Sequence, residues 1–314
     1  MILLWSCVFF VSLAILVKGA DWLIESAEKI GLAAGLSPFI VGVTIVGMGT
    51  SFPELISSFA ATMRGVTDVV VANAIGSNIA NILLVLGLSA VIGKKLSVTK
   101  SLIDLDLPLL AMSAVLLLGV VWDKQVTFGE AIILLCSYGI YLLYTTNHTD
   151  QENAVKKALS RAARPKASFK DVILLIVGVA ALSLGAKYLV DALIQLSSLL
   201  NIGTGVIAIT AVAVGTSLPE LLVSVKAAMQ KKSEVALGNI FGSNIFNSFV
   251  VVGLPALYKT LEVDPQTYMI GLPAMMLATL LFVISGISQQ IYRWEGGLYL
   301  MLYILFTVKL FNWF

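Results

Sequence analysis

Long apolar stretches separated by short polar turns dominate the sequence. Each stretch approaches or exceeds the roughly 20 residues that an α-helix needs to cross a bilayer. The first one lacks a basic leading region and a small-residue cleavage site, so we predict a retained helix and not a signal peptide. The pattern predicts ten membrane-spanning helices, at residues 2–28, 38–62, 69–92, 102–121, 126–146, 171–197, 205–229, 235–257, 266–288 and 294–313.

The composition agrees with this pattern. Hydrophobic residues make up 59% of the chain and charged residues 12%, with a mean hydropathy of +0.97, whereas soluble domains carry about 25% charged residues. His148, the sole histidine, lies in a charged loop, and the two cysteines have no metal-ligand spacing. We therefore predict a monomeric protein with no resident cofactor, whose partners are transported cations and the lipid bilayer and not nucleic acid.

The distribution of lysine and arginine predicts the orientation in the membrane. With the N-terminus outside, twelve of these residues fall in the predicted cytoplasmic connections and three, Arg64, Lys124 and Lys259, in the external ones. Cytoplasmic loops carry the excess of positive residues. We therefore expect a multi-pass protein of the cell (plasma) membrane with both termini extracytoplasmic.

Two motifs occur twice along the chain. GMGTSFPEL at 47–55 matches AVGTSLPEL at 213–221, and NAIGSNIAN at 73–81 matches NIFGSNIFN at 239–247. Both pairs are offset by 166 residues, which indicates an internal duplication. The chain then divides into a first repeat, a cytoplasmic linker and a second repeat, at residues 1–146, 147–170 and 171–314.

Each repeat contains five predicted spans, an odd number, so the second repeat enters the membrane from the opposite side. The predicted fold is therefore an all-α membrane protein with ten transmembrane helices arranged as two inverted-topology five-helix repeats. This architecture is typical of secondary transporters, whose ion sites lie near the midplane between the repeats.

Glu54 and Glu220 are the repeated acids, and each lies well inside a predicted span. An ionisable residue at membrane depth is costly and is a candidate functional group. The prolines before them, Pro53 and Pro219, each deprive a carbonyl four residues earlier of its helical partner. Freed carbonyls, two carboxylates and nearby hydroxyls form an oxygen-only cluster, which suits Ca²⁺ and also Na⁺. Pairing of the glutamates with a buried base, or a simple proline kink, are the alternatives.

The second motif predicts another wall of the same site. Asn73, Ser77 and Asn81 follow one another at intervals of four residues and so share a helix face. The second copy places Asn239, Ser243 and Asn247 in the same way. Hydrogen bonding between helices is the alternative role for these asparagines, above all for Asn73 and Asn239 near the helix ends. We also expect the glycines of these helices, at 76, 87, 242 and 253, to permit close helix packing.

With GTSFPEL and GSNIANILLVLG in one half and GTSLPEL and GSNIFNSFVVVG in the other, the chain resembles the cation/calcium exchanger superfamily, in particular its prokaryotic sodium/calcium exchanger branch. The resemblance implies a central cluster of ion sites, with Gly47 and Ala213 contributing backbone carbonyls. Its side-chain ligands would be Thr50, Ser51, Glu54, Ser77, Asn81, Thr216, Ser217, Glu220, Ser243 and Asn247. Position 247 departs from several exchangers, which carry aspartate there.

The resemblance also implies alternating access, with spans 1 and 6 sliding across the other eight. The expected function is a secondary active antiporter that exchanges Ca²⁺ for Na⁺, and the alternative is an H⁺-coupled Ca²⁺ exchanger of the same fold. An intramembrane enzyme is disfavoured because no histidine and no aspartate pair accompanies the glutamates. A passive channel is disfavoured because it has no need of an inverted duplication.

Overall fold

The protein is seen in a computed structural model, which describes residues 1–97, 106–152, 166–199 and 217–310. Helical segments in these ranges overlap every stretch predicted to span. They are α1 Ile2–Ala34, α2 Pro38–Met63, α3 Asp68–Gly93, α4 Leu107–Val120, α5 Phe128–Glu152, α6 Phe169–Leu199, α7 Leu218–Met229, α8 Ser233–Tyr258, α9 Thr267–Ile287 and α10 Arg293–Leu310. The starts of the predicted spans 102–121 and 205–229, and most of the linker 147–170, lie outside the described residues.

Seven of the described helices are long and apolar enough to cross a membrane, and α4 is a shorter apolar helix. The chain is therefore an all-α membrane protein. The seven are α1, α2, α3, α5 within Phe128–Thr145, α6 within Phe169–Leu196, α8 and α9.

The first helix is longer than its apolar stretch. It continues past the predicted end at residue 28 to Ala34, where Gly35 adopts a left-handed conformation with φ 83° and caps the helix. Glycine adopts this conformation without steric cost. Near this end of the helix, Glu28 and Lys29 form ion pairs with Lys232 and Asp171 on other segments.

The irregular turns do not lie where the prolines predict them. The α-helical part of α2, Gly47–Met63, runs unbroken through Pro53, and a π-helical turn precedes it at Gly42–Val46. Pro53 removes a single N–H, and the bonds on either side maintain the helix. Pro219 lies in the first turn of α7 as described, where the missing N–H costs little. Further π-helical turns occur at Ala80–Leu86 in α3, Asn247–Val251 in α8 and Thr267–Gly271 in α9.

Two short antiparallel ribbons connect the halves of the chain. Strand β1, Lys95–Ser97, pairs with β4, Gln290–Tyr292, and β2, Gln125–Val126, pairs with β3, Leu261–Glu262. In both ribbons one strand precedes the linker and the other follows it. The first ribbon joins the α3–α4 and α9–α10 connections, and the second joins the α4–α5 and α8–α9 connections.

Helices α2 and α8 cross in close contact at the centre of the molecule. A Cβ on Gly47 would lie 3.1 Å from the backbone of Gly242, and a Cβ on Gly242 would overlap the carbonyl group of Val43. The predicted close approach therefore occurs at Gly242. It does not occur at the repeat-related Gly76, where no atom of the described residues lies within 4 Å of such a Cβ. Gly76 instead lines a cavity.

Candidate functional site

The two repeated glutamates are buried on neighbouring helices. Glu54 on α2 and Glu220 on α7 are each 1% exposed. The hydroxyl of Ser51, one turn before Glu54, donates a 2.9 Å hydrogen bond to Oε1 of Glu220. Both acids are therefore buried, and a residue of the first motif contacts the acid of the second.

The close crossing of α2 and α8 builds a second cluster around Thr50. Its hydroxyl lies 3.0 Å from Oδ1 of Asn239, 3.2 Å from the Ser243 hydroxyl and 3.2 Å from the carbonyl oxygen of Gly47. The hydroxyl of Ser243 donates a 3.3 Å hydrogen bond to the same carbonyl oxygen of Gly47. Only glycines at the crossing allow the two backbones to approach closely enough for these contacts.

Most of the remaining polar atoms at the site have no hydrogen-bond partner among the described residues. Both carboxylate oxygens of Glu54 are buried and accept no hydrogen bond from the described residues. Such groups are rare in folded proteins because each carries the full cost of its lost hydration. The same is true of further buried atoms at predicted positions, namely Oε2 of Glu220, both amide atoms of Asn81 and of Asn247, and the hydroxyls of Ser77 and Ser217.

Ten of the twelve predicted positions are therefore described, namely Gly47, Thr50, Ser51, Glu54, Ser77, Asn81, Ser217, Glu220, Ser243 and Asn247. Thr216 and Ala213 lie outside the described residues. Every described side chain among the ten is buried. Asn81 is the second residue of the π-helical turn Ala80–Leu86 in α3. Asn247 is the first residue of the corresponding turn in α8.

Asn239 joins α8 to α2 and α7 by hydrogen bonds, which is the alternative role that its sequence position suggests. It is fully buried, and besides accepting from Thr50 it donates to the hydroxyl of Ser224 at 2.8 Å and to the carbonyl of Glu220 at 3.3 Å. Its repeat mate Asn73 makes the corresponding bond to Ser58, at 3.2 Å, but is only partly buried. The pairs Asn73–Ser58 and Asn239–Ser224 share the 166-residue offset, a signal present in the sequence.

Asn78 has the structural role that its position on α3 suggests. Its amide donates to the carbonyl of Asn244 at 3.2 Å and to the hydroxyl of Ser248 at 2.9 Å, and so joins α3 to α8. Asn244 donates within its own helix to Ile240.

A cavity of about 740 Å³ reaches the site from one end of the helices. Its lining includes Asp68 at the start of α3, Asp264 before α9, and Ser77 and Ser217. The hydroxyls of these two serines have no hydrogen-bond partner among the described residues. Side chains from the helix ends and from the predicted site therefore line one cavity.

Among the described residues, no lysine or arginine forms an ion pair with Glu54 or Glu220. The ion pairs in this part of the chain join other side chains, away from the two glutamates. In the same part of the chain no cluster of three or more histidines, cysteines or acids occurs. The groups that could bind a cation at the site are thus two carboxylates, neutral hydroxyls, amide oxygens and a backbone carbonyl. This set matches hard cations that prefer oxygen and lacks the nitrogen and sulfur ligands of zinc or copper sites.

The fold and the site together define a multi-pass helical membrane protein with a buried, oxygen-lined carboxylate pair. Comparison with known proteins identifies the family. The family model described as "Sodium/calcium exchanger protein" matches residues 4–147 and 170–312, so the chain belongs to the sodium/calcium exchanger protein family, which is a family of transporters.

Individual relatives cover nearly the whole chain. The sodium/calcium exchanger MaX1 of Methanosarcina acetivorans is 33% identical over 97% of this chain and 97% of its own length. The inner membrane protein YrbG of Escherichia coli is 34% identical over 90% of this chain and 88% of its own length. A solved structure of the sodium-calcium exchanger NCX_Mj superposes with a TM-score of 0.79 at 32% identity, covering 97% of this chain and 98% of that one.

Proposed function

We propose that the protein is a secondary active antiporter that exchanges Ca²⁺ for Na⁺ across the cell membrane by alternating access. The observation that carries the proposal is the Glu54 carboxylate, which is buried with neither oxygen hydrogen-bonded to a described residue. Membership of the sodium/calcium exchanger family and the likeness to NCX_Mj support the choice of ions.

A bound cation would offset the free-energy cost of burying the two carboxylates. Two carboxylates held in a low-dielectric interior without bases would each lose several kcal/mol of hydration. A divalent ion, or more than one monovalent ion, restores favourable electrostatics and gives the unpartnered oxygens a ligand. Ca²⁺ takes about six to eight oxygen ligands in flexible geometry, and Na⁺ uses the same hard donors.

The proposed ligand set combines both repeats. Glu54 and Glu220 supply the charge, and hydroxyl, amide and carbonyl oxygens complete the coordination. The neutral ligands are Gly47, Thr50, Ser51, Ser77, Asn81, Ala213, Thr216, Ser217, Ser243 and Asn247, of which Ala213 and Thr216 are assigned from the repeat alone.

Mutual exclusion of the ions accounts for exchange. Ca²⁺ and Na⁺ compete for the same pair of carboxylates, so one species leaves before the other is held. An empty site leaves two buried like charges, which disfavours the conformational step without cargo. Transport of one ion is thereby coupled to countertransport of the other.

The proposed architecture is two inverted five-helix repeats with both termini outside, functioning as a monomer. The ribbons support this topology, since each joins two connections that the positive residues assign to the same side of the membrane. The β1–β4 ribbon would be cytoplasmic and the β2–β3 ribbon external. Strands β1 and β3 are themselves related by the 166-residue offset, as Lys95 and Leu261 show.

Alternating access draws support from the cavity at one end of the site. The connections that carry Asp68 and Asp264 are external in the proposed topology, so this cavity is the outer access route. The two aspartates would attract cations to its entrance.

The test is uptake of radiolabelled Ca²⁺ into proteoliposomes under separately imposed gradients. We expect an outward Na⁺ gradient to drive uptake and a pH gradient without Na⁺ to drive none. Glu54→Gln and Glu220→Gln should each abolish uptake. Glu130→Gln is the matched control, because Glu130 caps the exposed start of α5 through Thr127 and lies outside the site.

Two results would overturn parts of this proposal. Parental exchange rates in both site variants would exclude the glutamates as the ion-binding centre. Uptake driven by the pH gradient alone would replace Na⁺ by H⁺ as the coupling ion and establish the alternative, an H⁺-coupled Ca²⁺ exchanger, in which the two carboxylates take up protons in turn.

A further inference from the structure

Two ion pairs connect α1 to the α7–α8 region at the end remote from the cavity. Lys226 on α7 lies 2.6 Å from Asp21, and Lys232, just before α8, lies 2.6 Å from Glu28. Lys226 also donates a 2.8 Å hydrogen bond to the carbonyl of Val17. The four charged side chains are between 21% and 31% exposed, so bulk solvent screens these pairs only in part.

Helix α1 is packed against α6 as a single unit. A Cβ on Gly19 would lie 3.0 Å from the Cβ of Ala181, and a Cβ on Gly178 would lie 2.9 Å from the backbone of Leu23. Lys29 adds an ion pair to Asp171 of α6 at 3.5 Å. The pairs Asp21–Lys226 and Glu28–Lys232 therefore attach this two-helix unit to the rest of the bundle.

The internal duplication shows that these two pairs exist in one orientation only. At the 166-residue offset, the counterparts of Asp21 and Lys226 are Lys187 and Ala60, and those of Glu28 and Lys232 are Ile194 and Val66. Neither counterpart combination contains opposite charges. The repeat symmetry that places Glu54 and Glu220 in equivalent positions is therefore broken where α1 meets α7.

We propose that Asp21–Lys226 and Glu28–Lys232 form an ionic latch that holds the α1–α6 unit against α7 and α8 and stabilises the conformation whose cavity opens at the Asp68 and Asp264 end. This proposal rests on the proposed alternating-access function, and it adds a preference for one of the two access states. With inverted repeats, two structurally symmetric halves would populate the two access states about equally. An interaction made in one state alone shifts that balance by its own free energy.

The magnitude follows from the exposure of the pairs. A partly exposed ion pair shifts a two-state equilibrium by roughly two- to five-fold. Two such pairs, acting together, then favour the open-cavity state by roughly four- to twenty-five-fold. This bias is large enough to measure and small enough for cargo binding to overcome it.

The experiment measures how accessible the cavity is. Ala72, which lines it, is changed as Ala72→Cys in a background with Cys7→Ala and Cys136→Ala, and the purified protein is placed in lipid nanodiscs. The labelling rate with a hydrophilic thiol reagent then reports the open fraction. We expect Lys226→Gln with Lys232→Gln to slow labelling by about 1.6- to 1.9-fold, because the open fraction falls from roughly 0.80–0.96 to about one half. Lys226→Gln alone should slow it less.

Control variants distinguish the loss of the two ion pairs from a general loss of folded structure. Lys231→Gln neutralises the adjacent lysine, whose side chain takes no part in either pair, and should leave the labelling rate unchanged. The exchange of charges, Asp21→Lys with Lys226→Asp, should restore most of the loss caused by Lys226→Gln. Size-exclusion profiles identify any variant that does not fold, and the single and exchanged variants then still decide the question.

Unchanged labelling in the doubly neutralised protein would overturn the latch, and so would a loss that the exchanged charges fail to restore. Na⁺-driven Ca²⁺ uptake by the same preparation is scored separately. Absent uptake in the unmodified protein would refute the proposed function while the labelling rates still decide whether the latch exists.

Discussion

The hydroxyl of Ser51 donates a 2.9 Å hydrogen bond to the carboxylate of Glu220, which comes 169 positions later in the chain. Ser51 precedes Glu54 by less than one helical turn, so a residue of one repeat supports the acid of the other. The two carboxylates consequently differ, since Glu220 has this donor whereas neither oxygen of Glu54 is hydrogen-bonded within the described residues.

Glu54→Gln should stabilise the protein in the absence of ions even though it abolishes transport. It removes a buried charge that has neither a base nor a hydrogen-bond donor among the described residues, and such charges destabilise the folded state. We expect a higher Tm than that of the parent in ion-free detergent and no increase on adding Ca²⁺. A lower ion-free Tm together with a normal Ca²⁺-induced increase would contradict this account of Glu54.

Ser51→Ala should weaken Ca²⁺ binding about tenfold or more. The hydrogen bond to a charged acceptor contributes about 1.5–3 kcal/mol, and its loss leaves Glu220 less well oriented. Calorimetric titration with Ca²⁺ measures the change. Ser57→Ala is the control on the same helix, since the Ser57 hydroxyl donates only to the backbone of Glu54. Equal affinities in the two variants would show that the Ser51 bond is unimportant.

Gly242→Ala should destabilise the crossing of α2 and α8 by about 1–3 kcal/mol, the usual cost of overpacking. The new methyl group would overlap the carbonyl of Val43 and push α2 away, which separates Gly47 from Ser243. The Tm measured in detergent and the affinity for Ca²⁺ should both decrease.

Gly139→Ala provides the comparison for this variant. A Cβ at Gly139 meets no atom of the described residues within 4 Å, and alanine favours the helix by roughly 1 kcal/mol over glycine. It should therefore leave Tm unchanged or raise it slightly. A similar loss in both variants would mean that an added methyl group lowers stability wherever it is placed, and that the crossing of α2 and α8 is not the cause.

Asn239→Ala should reduce Ca²⁺ affinity more than Asn73→Ala does. The first substitution removes a fully buried amide that bonds the Thr50 hydroxyl, the Ser224 hydroxyl and the Glu220 carbonyl, and each buried group left unpaired costs about 1–3 kcal/mol. The second removes a bond to Ser58 at a partly solvated position. Ca²⁺ titrations of both variants test the order, and the reverse order would refute the role given to Asn239.

The extent of the helices and the identity of the two acids were predictable from sequence. A span of apolar residues has to satisfy its own backbone in lipid, so helix positions follow from composition. The repeated Glu54 and Glu220 stand out because a carboxylate is costly at that depth. These are local properties or simple periodicities, and the 166-residue offset relates one half of the chain to the other directly.

The details of the turns were less predictable. The sequence rules place the irregularity at Pro53, yet the π-helical turn lies at Gly42–Val46, where α2 meets α8. Gly242 is packed closely whereas Gly76, its equivalent in the first repeat, borders a cavity. A glycine permits close approach, but the arrangement of the neighbouring helices decides whether any helix occupies the space.

By itself the sequence determined that this is a helical membrane protein with a duplicated motif and a pair of buried carboxylates, because hydrophobic length, periodicity and internal repetition can be read along one chain. Only the tertiary structure decided which atoms meet: Ser51 with Glu220, Thr50 with Asn239, and Lys226 with Asp21. Each of these contacts joins residues more than 160 positions apart. Their partners depend on helix crossing and rotation, which the packing of the entire bundle establishes.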